Sequence, residues 1–192
     1  QQHGTTIILV THHRDEFVNA DRIIRLDNGR IVQSARGNTA SIPEMDESGT
    51  AQEDNPIAKS NIANGASKPT SAVPIIEIHN LIYQYPNSSK PVLDKLSITI
   101  NEGETVAITG HNGAGKTTLA RLLCALEQPQ SGSITVNTIP VARQRANGNM
   151  QSLKRADREK LRATIGYVMQ HPERQLFAET VAEDVAYGPR NQ

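Results

Sequence analysis

Gly110-His111-Asn112-Gly113-Ala114-Gly115-Lys116-Thr117 is the stretch on which the reading of this chain turns. It fits G-x-x-x-x-G-K-[ST], the pattern of a loop whose backbone N–H groups cradle phosphates, provided that a strand precedes it and a helix follows. Both flanks meet that condition. Glu104 to Thr109 carries the apolar run Val106-Ala107-Ile108, suited to a buried parallel strand. Thr117 to Glu127 places Leu119, Leu122, Leu123 and Leu126 at helical spacing, so one face packs while the helix N-terminus points back at the loop, where anions belong.

Each residue type in the loop has a physical job. The glycines open backbone conformations that turn successive N–H groups toward phosphate oxygens, forming an anion nest. Lys116 brings a mobile positive charge for β- and γ-phosphates, and Thr117 offers a hydroxyl to a phosphate-bridging Mg²⁺. The expected nucleotide-binding set is therefore Gly110, His111, Asn112, Gly113, Ala114, Gly115, Lys116, Thr117 and the adjoining Thr118.

Composition narrows the rest. Apolar residues make up 36% of the 192 and are concentrated after about residue 73. Lys+Arg and Asp+Glu are both 20, so a formal net charge of +0 gives no electrostatic case for nucleic acid. The single cysteine, Cys124, excludes an internal disulfide framework and reads as a small buried hydrophobe in the helix after the loop. No apolar run reaches the about eighteen residues of a membrane span, and no secretory signal pattern opens the chain. The expectation is a soluble protein, or one that sits on a membrane through a partner. The start at Gln1 rather than Met points to a fragment.

Outward from the loop, the chain divides into three parts. Thr5 to Thr11 is a β-branched run that reads as a buried strand, and Asp27-Asn28-Gly29 between two strand-like runs is a hairpin signal. From about Ser34 to Ala72 the residues are polar, Pro-containing and without apolar period, the pattern of a disordered linker with a reach of about 35 Å. Order is expected again from Val73: strands within Ile75 to Tyr85, Leu96 to Ile100, Ser133 to Val136 and Ile165 to Met169; a surface insertion over Ala142 to Ser152; and a charged helical stretch over Asp157 to Ala163.

These residues resemble the ATP-binding cassette (ABC) ATPases of transporters, an α/β P-loop NTPase fold, here as pieces of two consecutive cassettes. By that resemblance residues 1–33 are the C-terminal part of a first ATPase domain, 34–72 a flexible linker, and 73–192 the N-terminal part of a second. Tyr85, in Tyr-Gln-Tyr-Pro, matches the aromatic that stacks on adenine, with Tyr83 as an alternative. Gln170 matches the Q-loop glutamine that approaches Mg²⁺ and the attacking water. His12, after Val10-Thr11, is similar to the switch histidine that contacts the γ-phosphate. The implied cofactors are ATP and Mg²⁺, with Thr117 and Gln170 toward the metal.

The run from Gln170 to Pro189 resembles the ATPases of energy-coupling-factor (ECF) importers, which take up vitamins or transition-metal ions. It implies a transmembrane T component and a substrate-binding membrane subunit as partners, and a peripheral place on the cytoplasmic face of the membrane. The sequence contains no Leu-Ser-Gly-Gly signature and no apolar strand ending in Asp-Glu. The order of pieces implies an internal fragment of a tandem two-cassette ATPase, not competent for turnover alone. Its two ATPase domains would pair head to tail, with Lys116 and His12 at different ATP sites. Two rival readings are a tandem-cassette translation factor on the ribosome and a non-catalytic ATP-binding module.

Overall fold

The computed structural model describes residues 4–11, 19–36, 73–145, 147–170 and 175–190. Its centre is β6 (Thr105–Thr109), the strand that feeds the phosphate loop. β1 (Ile7–Val10) and β2 (Arg22–Asp27) flank it, both parallel, in register Val10↔Ile108 and Ile24↔Ile108. β3 (Arg30–Arg36) closes the sheet antiparallel to β2, giving the order β1-β6-β2-β3. The apolar run of β6 has no polar alternation because both faces are covered: Val106 and Ile108 enter the main core, and Ala107 packs with Ala20 and Ile23 on the other side.

A second, antiparallel sheet runs β5-β4-β7-β8-β9, from β4 (Pro74–Tyr83), β5 (Leu93–Asn101), β7 (Ser131–Val136), β8 (Ile139–Gln144) and β9 (Met150–Gln151). β5 alternates buried and exposed residues, as its sequence period predicts. Between the sheets lies α1 (Lys116–Leu123), whose Leu119 and Leu122 join Ile24, Ile78, Leu81, Leu93, Leu96 and Ile108 in one apolar core. Among the described residues two further helices follow, α2 (Arg155–Thr164) and α3 (Val181–Arg190). This mixed α/β arrangement around a phosphate loop is the P-loop NTPase fold.

The N-terminal segment is bound into this sheet by polar contacts as well as by its strands. Asp21 accepts the Thr105 N–H at 2.7 Å, and Thr6 Oγ1 accepts the Gly103 N–H at 2.9 Å. Arg22 pairs with Glu104: Nη2 donates to Oε2 at 3.2 Å, and Nε lies 2.9 Å from Oε1 with its N–H directed off that line. The hairpin forms where Asn-Gly places it: Asn28 and Gly29 both take positive φ, 46° and 75°, the signature of a type I′ turn.

Four local expectations need correction. Thr5 to Thr11 reads as a buried strand, but β1 is a sheet edge with β6 as its neighbour, leaving Ile7 43% and Val10 39% exposed. The helix after the loop ends before Leu126. Ala125 turns left-handed at φ 54°, and the Ala125 and Leu126 N–H groups donate back to Leu122 and Arg121, a Schellman close. Ala142 to Gln144 is the end of β8, with Ala142 buried, and the expected insertion is a hairpin onto β9. Ile165 to Met169 is extended at Ile165 but joins no ladder among the described residues, and Val168 stands 75% exposed.

At the C-terminal end α3 begins with a side-chain cap: Thr180 Oγ1 accepts the Glu183 N–H, and the same hydroxyl donates to Glu183 Oε2. β3 extends through Ser34 to Arg36, carried by pairing with β2 as far as Arg22↔Arg36, and residues 37–72 of the polar stretch lie outside the described residues.

Candidate phosphate-binding site

The loop is built by two close approaches. Gly110 takes φ 145°, and a Cβ there would stand 2.3 Å from the Leu26 carbonyl oxygen, so only glycine lets β2 come this near. Gly115, at φ 101°, precedes α1 without any side-chain cap, and a Cβ would strike Leu93 Cδ2 at 2.7 Å. An uncapped helix start leaves its first N–H groups for an anion. Asn112 and Gly113 are exposed and Ala114 is fully buried, so the loop crosses from solvent into the core within three residues.

Lys116 folds back over the loop. Its Nζ donates to the Gly110 carbonyl at 2.7 Å and to the His111 carbonyl at 2.9 Å, and burial lowers the ammonium's pKa from its ordinary value. Thr117 is exposed at the first turn of α1, whereas Thr118 is buried, its Oγ1 3.1 Å from the Tyr85 hydroxyl. Tyr85 is thus fixed beside the helix start and remains 37% exposed. Tyr83 meets it edge to face at 5.0 Å but is buried, and its hydroxyl donates to Glu127 at 2.9 Å. Burial first, then that carboxylate, pushes the Tyr83 phenol up to about 12. Of the two tyrosines, Tyr85 has the open face.

The remaining candidates fall elsewhere. Gln170 is exposed at a bend, and among the described residues no hydrogen bond joins it to the loop. His12 lies outside the described residues. The strand before it ends against β6, where the Thr11 N–H donates to the Ile108 carbonyl at 3.2 Å.

One participant escapes sequence reasoning altogether. Asp27, the last residue of β2, reaches the His111 ring, with Oδ1 2.8 Å from Nε2. The hairpin itself is legible from Asn28-Gly29, but nothing local marks a contact across 84 residues.

The residues fit a nucleotide triphosphate with its metal. The loop offers an uncapped helix start, glycine positions that a side chain would obstruct and a lysine in reach of the same space. Among the described residues no cluster of three or more His, Cys, Asp or Glu side chains would hold a metal. A Mg²⁺ ion bound with the phosphates would take the Thr117 hydroxyl.

Comparison with known proteins agrees. The sequence profile of the family described as ABC transporter matches residues 93–191. A protein of Bifidobacterium longum (strain NCC 2705), provisionally described as an ABC transporter ATP-binding protein, is 44% identical over 218 aligned residues, covering 100% of this chain and 28% of its own length. The energy-coupling factor transporter ATP-binding protein EcfA1 of Latilactobacillus sakei is 42% identical over 118 residues, 62% of this chain and 38% of its own length. Among solved structures, cbiO1 from Clostridium perfringens, part of the ABC transporter complex cbiONQ, superposes with a TM-score of 0.51 at 32% identity, covering 62% of this chain and 43% of its own. The chain therefore spans less than half the length of each of these relatives.

Proposed function

This chain belongs to the ABC transporter family of ATP-binding domains, and from that premise we propose that it is an internal section of a tandem two-cassette ATPase that powers import by an ECF-type transporter. On this reading a first ATPase domain closes with β3, at Arg36 rather than at residue 33, the polar stretch up to residue 72 links, and 73–192 open a second. The Bifidobacterium relative, matched along the whole of this chain yet more than three times longer, supports that arrangement. The two ATPase domains of the intact protein pair head to tail, so that Lys116 and His12 serve different ATP sites. The transported solute belongs to the vitamin or transition-metal class, and the protein sits peripherally on the cytoplasmic face of the membrane, against a T component and a substrate-binding subunit. In support, no helix among the described residues is long and apolar enough to cross a membrane. Val168, Met169, Leu176 and Phe177 flank Gln170 with exposed apolar side chains of the kind a partner helix covers.

Bound ATP supplies a transferable phosphoryl group and, with its Mg²⁺, the charge that the site must accommodate. The chain's own residues bind and orient. The Gly110–Lys116 backbone and the start of α1 present N–H groups, and Lys116 exchanges two carbonyl acceptors for phosphate oxygens. Thr117 offers its hydroxyl toward the metal, and Tyr85, held by Thr118, presents its open face to the base. Gln170 and His12 take the roles of water-positioning groups.

The observation that carries this reading is the pairing of Lys116 with an uncapped helix start at the end of β6. Lys116→Ala should weaken Mg·ATP binding by about 100-fold in calorimetric titration, the loss of one charge-assisted contact, with the thermal midpoint unchanged. Equal affinity would overturn the site. Phosphate release by the 192-residue chain should be negligible in the same samples; brisk turnover would overturn its reading as a section of a longer enzyme.

A further inference from the structure

β4 leaves its sheet at Tyr83. Its last rung with β7 is Ile82↔Ser131 and its last with β5 is Tyr83↔Leu93, so Gln84 lies beyond both ladders. Its backbone is bonded all the same. The Gln84 N–H donates to Gln130 Oε1 at 2.8 Å, and Gln130 Nε2 donates to the Gln84 carbonyl at 2.9 Å. A side-chain amide carries both donor and acceptor, so Gln130 serves the two backbone groups of one residue as a neighbouring strand would. The Gln130 N–H also donates to the Ile82 carbonyl at 3.0 Å, which ties the residue to β4 by backbone as well as side chain.

Tyr85 follows directly on this clamp. Its carbonyl accepts the Ser88 N–H at 3.0 Å, closing a turn with Pro86 in the second position, where the fixed φ of proline suits it. The Tyr85 hydroxyl lies 3.1 Å from Thr118 Oγ1 on α1, and its ring meets Tyr83 edge to face at 5.0 Å. Tyr83 is itself held, its hydroxyl donating to Glu127, to which Arg121 also donates. Glu127 and Gln130 both belong to the connection from α1 to β7, so one short stretch of chain grips the two residues that precede Tyr85.

We infer that Gln130 is a positioning residue of the nucleotide site: by pairing with the Gln84 backbone it sets where Tyr85 presents its ring to the base. It acts through Tyr85 and not by contact with the nucleotide. Its hydrogen bonds run to Ile82 and Gln84, and among the described residues none runs to the phosphate loop, so its loss falls on base recognition and spares phosphate. Gln130 is exposed and both bonds compete with water, which makes the effect several-fold rather than all-or-none. The inference rests on the base-stacking role proposed for Tyr85.

The test compares Mg·ATP with inorganic triphosphate and Mg²⁺, which lacks base and ribose, by calorimetric titration of the 192-residue chain. Tyr85→Ala should raise the dissociation constant for Mg·ATP about tenfold, the worth of one base–aromatic stack. Gln130→Ala should raise it about threefold. Gln130→Glu keeps the side-chain volume but sets an oxygen against the Gln84 carbonyl where the donor was, and should do no better. Triphosphate affinity should stay at the wild-type value in both Gln130 variants, an outcome that a general loosening of the domain would not give. In the Tyr85→Ala background Gln130→Ala should add nothing. Unchanged Mg·ATP affinity in Gln130→Ala, a parallel loss for triphosphate, or losses that simply add would overturn the inference. Ring NMR signals of the nucleotide-free protein separate it from the reading beneath it: in Gln130→Ala the Tyr85 signals, displaced by the Tyr83 ring at 5.0 Å, should move toward those of an exposed tyrosine. If wild type binds Mg·ATP no more tightly than triphosphate, the base-stacking reading falls and takes the affinity arm with it. Tyr85 signals that stay in place in Gln130→Ala overturn the positioning itself.

Discussion

The phosphate loop is held from three sides, by the Leu26 carbonyl at Gly110, by Leu93 at Gly115 and by the core beneath Leu119 and Leu122. Beyond Ile165, which still packs against the core, the described residues of 166–170 and 175–190 are held largely by local contacts. Gln175 reaches back to Tyr167, Asp184 accepts the N–H groups of Phe177 and Ala178, and Phe177 packs edge to face on Tyr187 at 4.6 Å. Val168, Leu176, Val181 and Val185 meanwhile face solvent. Local hydrogen bonds give the second region its shape. Non-local packing gives the first its rigidity, and a site that must meet phosphate with several groups at once needs the second kind of support.

A pair of glycines makes the sharpest break between the regions. Gly110→Ala would drive a Cβ into the Leu26 carbonyl and should destabilise the protein by about 3 kcal/mol or more in denaturant unfolding, because β2 must move away from β6. Gly166→Ala meets nothing within 4 Å and should shift stability by no more than about 0.5 kcal/mol. Equal effects at the two positions would erase the contrast.

Tyr83 sharpens the comparison at the back of the nucleotide site. Tyr83→Phe deletes a buried donor to Glu127, which keeps Arg121 at 2.9 Å, so the cost should be about 1 kcal/mol at neutral pH. It also changes the alkaline limb. The folded protein holds the phenolic proton up to about 12 whereas the unfolded chain releases it from 10.0. Stability from this group is complete below pH 10.0 and is lost as pH rises toward 12. The Phe variant should lack that loss, and superimposable alkaline limbs for the two proteins would contradict the buried phenol.

What could be read in advance follows the same division. The loop, its strand and its helix were legible because glycine spacing, an apolar run and helical spacing are local signals, and so was the Asn28-Gly29 hairpin. Asp27 was not, since its partner is 84 residues away and only the register of two parallel strands brings them level. Leu126 misled because it keeps the helical period although Ala125 has already turned the chain left-handed. Ile165 to Met169 has the composition of a strand, but a strand exists only when a neighbour supplies its ladder, and composition does not say whether one is there.

α3 gives that point its finest test. Thr180 caps its first turn, with Glu183 and Asp184 favourably placed toward the positive end of the helix dipole, so the helix has local reasons to form. Val181 and Val185, one helical turn apart, are 82% and 71% exposed and add no buried area to it. Val181→Ser and Val185→Ser should therefore each leave the denaturant midpoint within about 0.5 kcal/mol of wild type. Thr180→Ala, which removes the cap, should cost about 1 kcal/mol of local helix stability, seen as faster amide exchange in α3 with β6 unaffected. If a valine substitution instead lowered global stability by more than about 1 kcal/mol, the stripe would be packed against the rest of the chain, and the division between a packed site and a self-supported flank would fail where it is drawn most plainly.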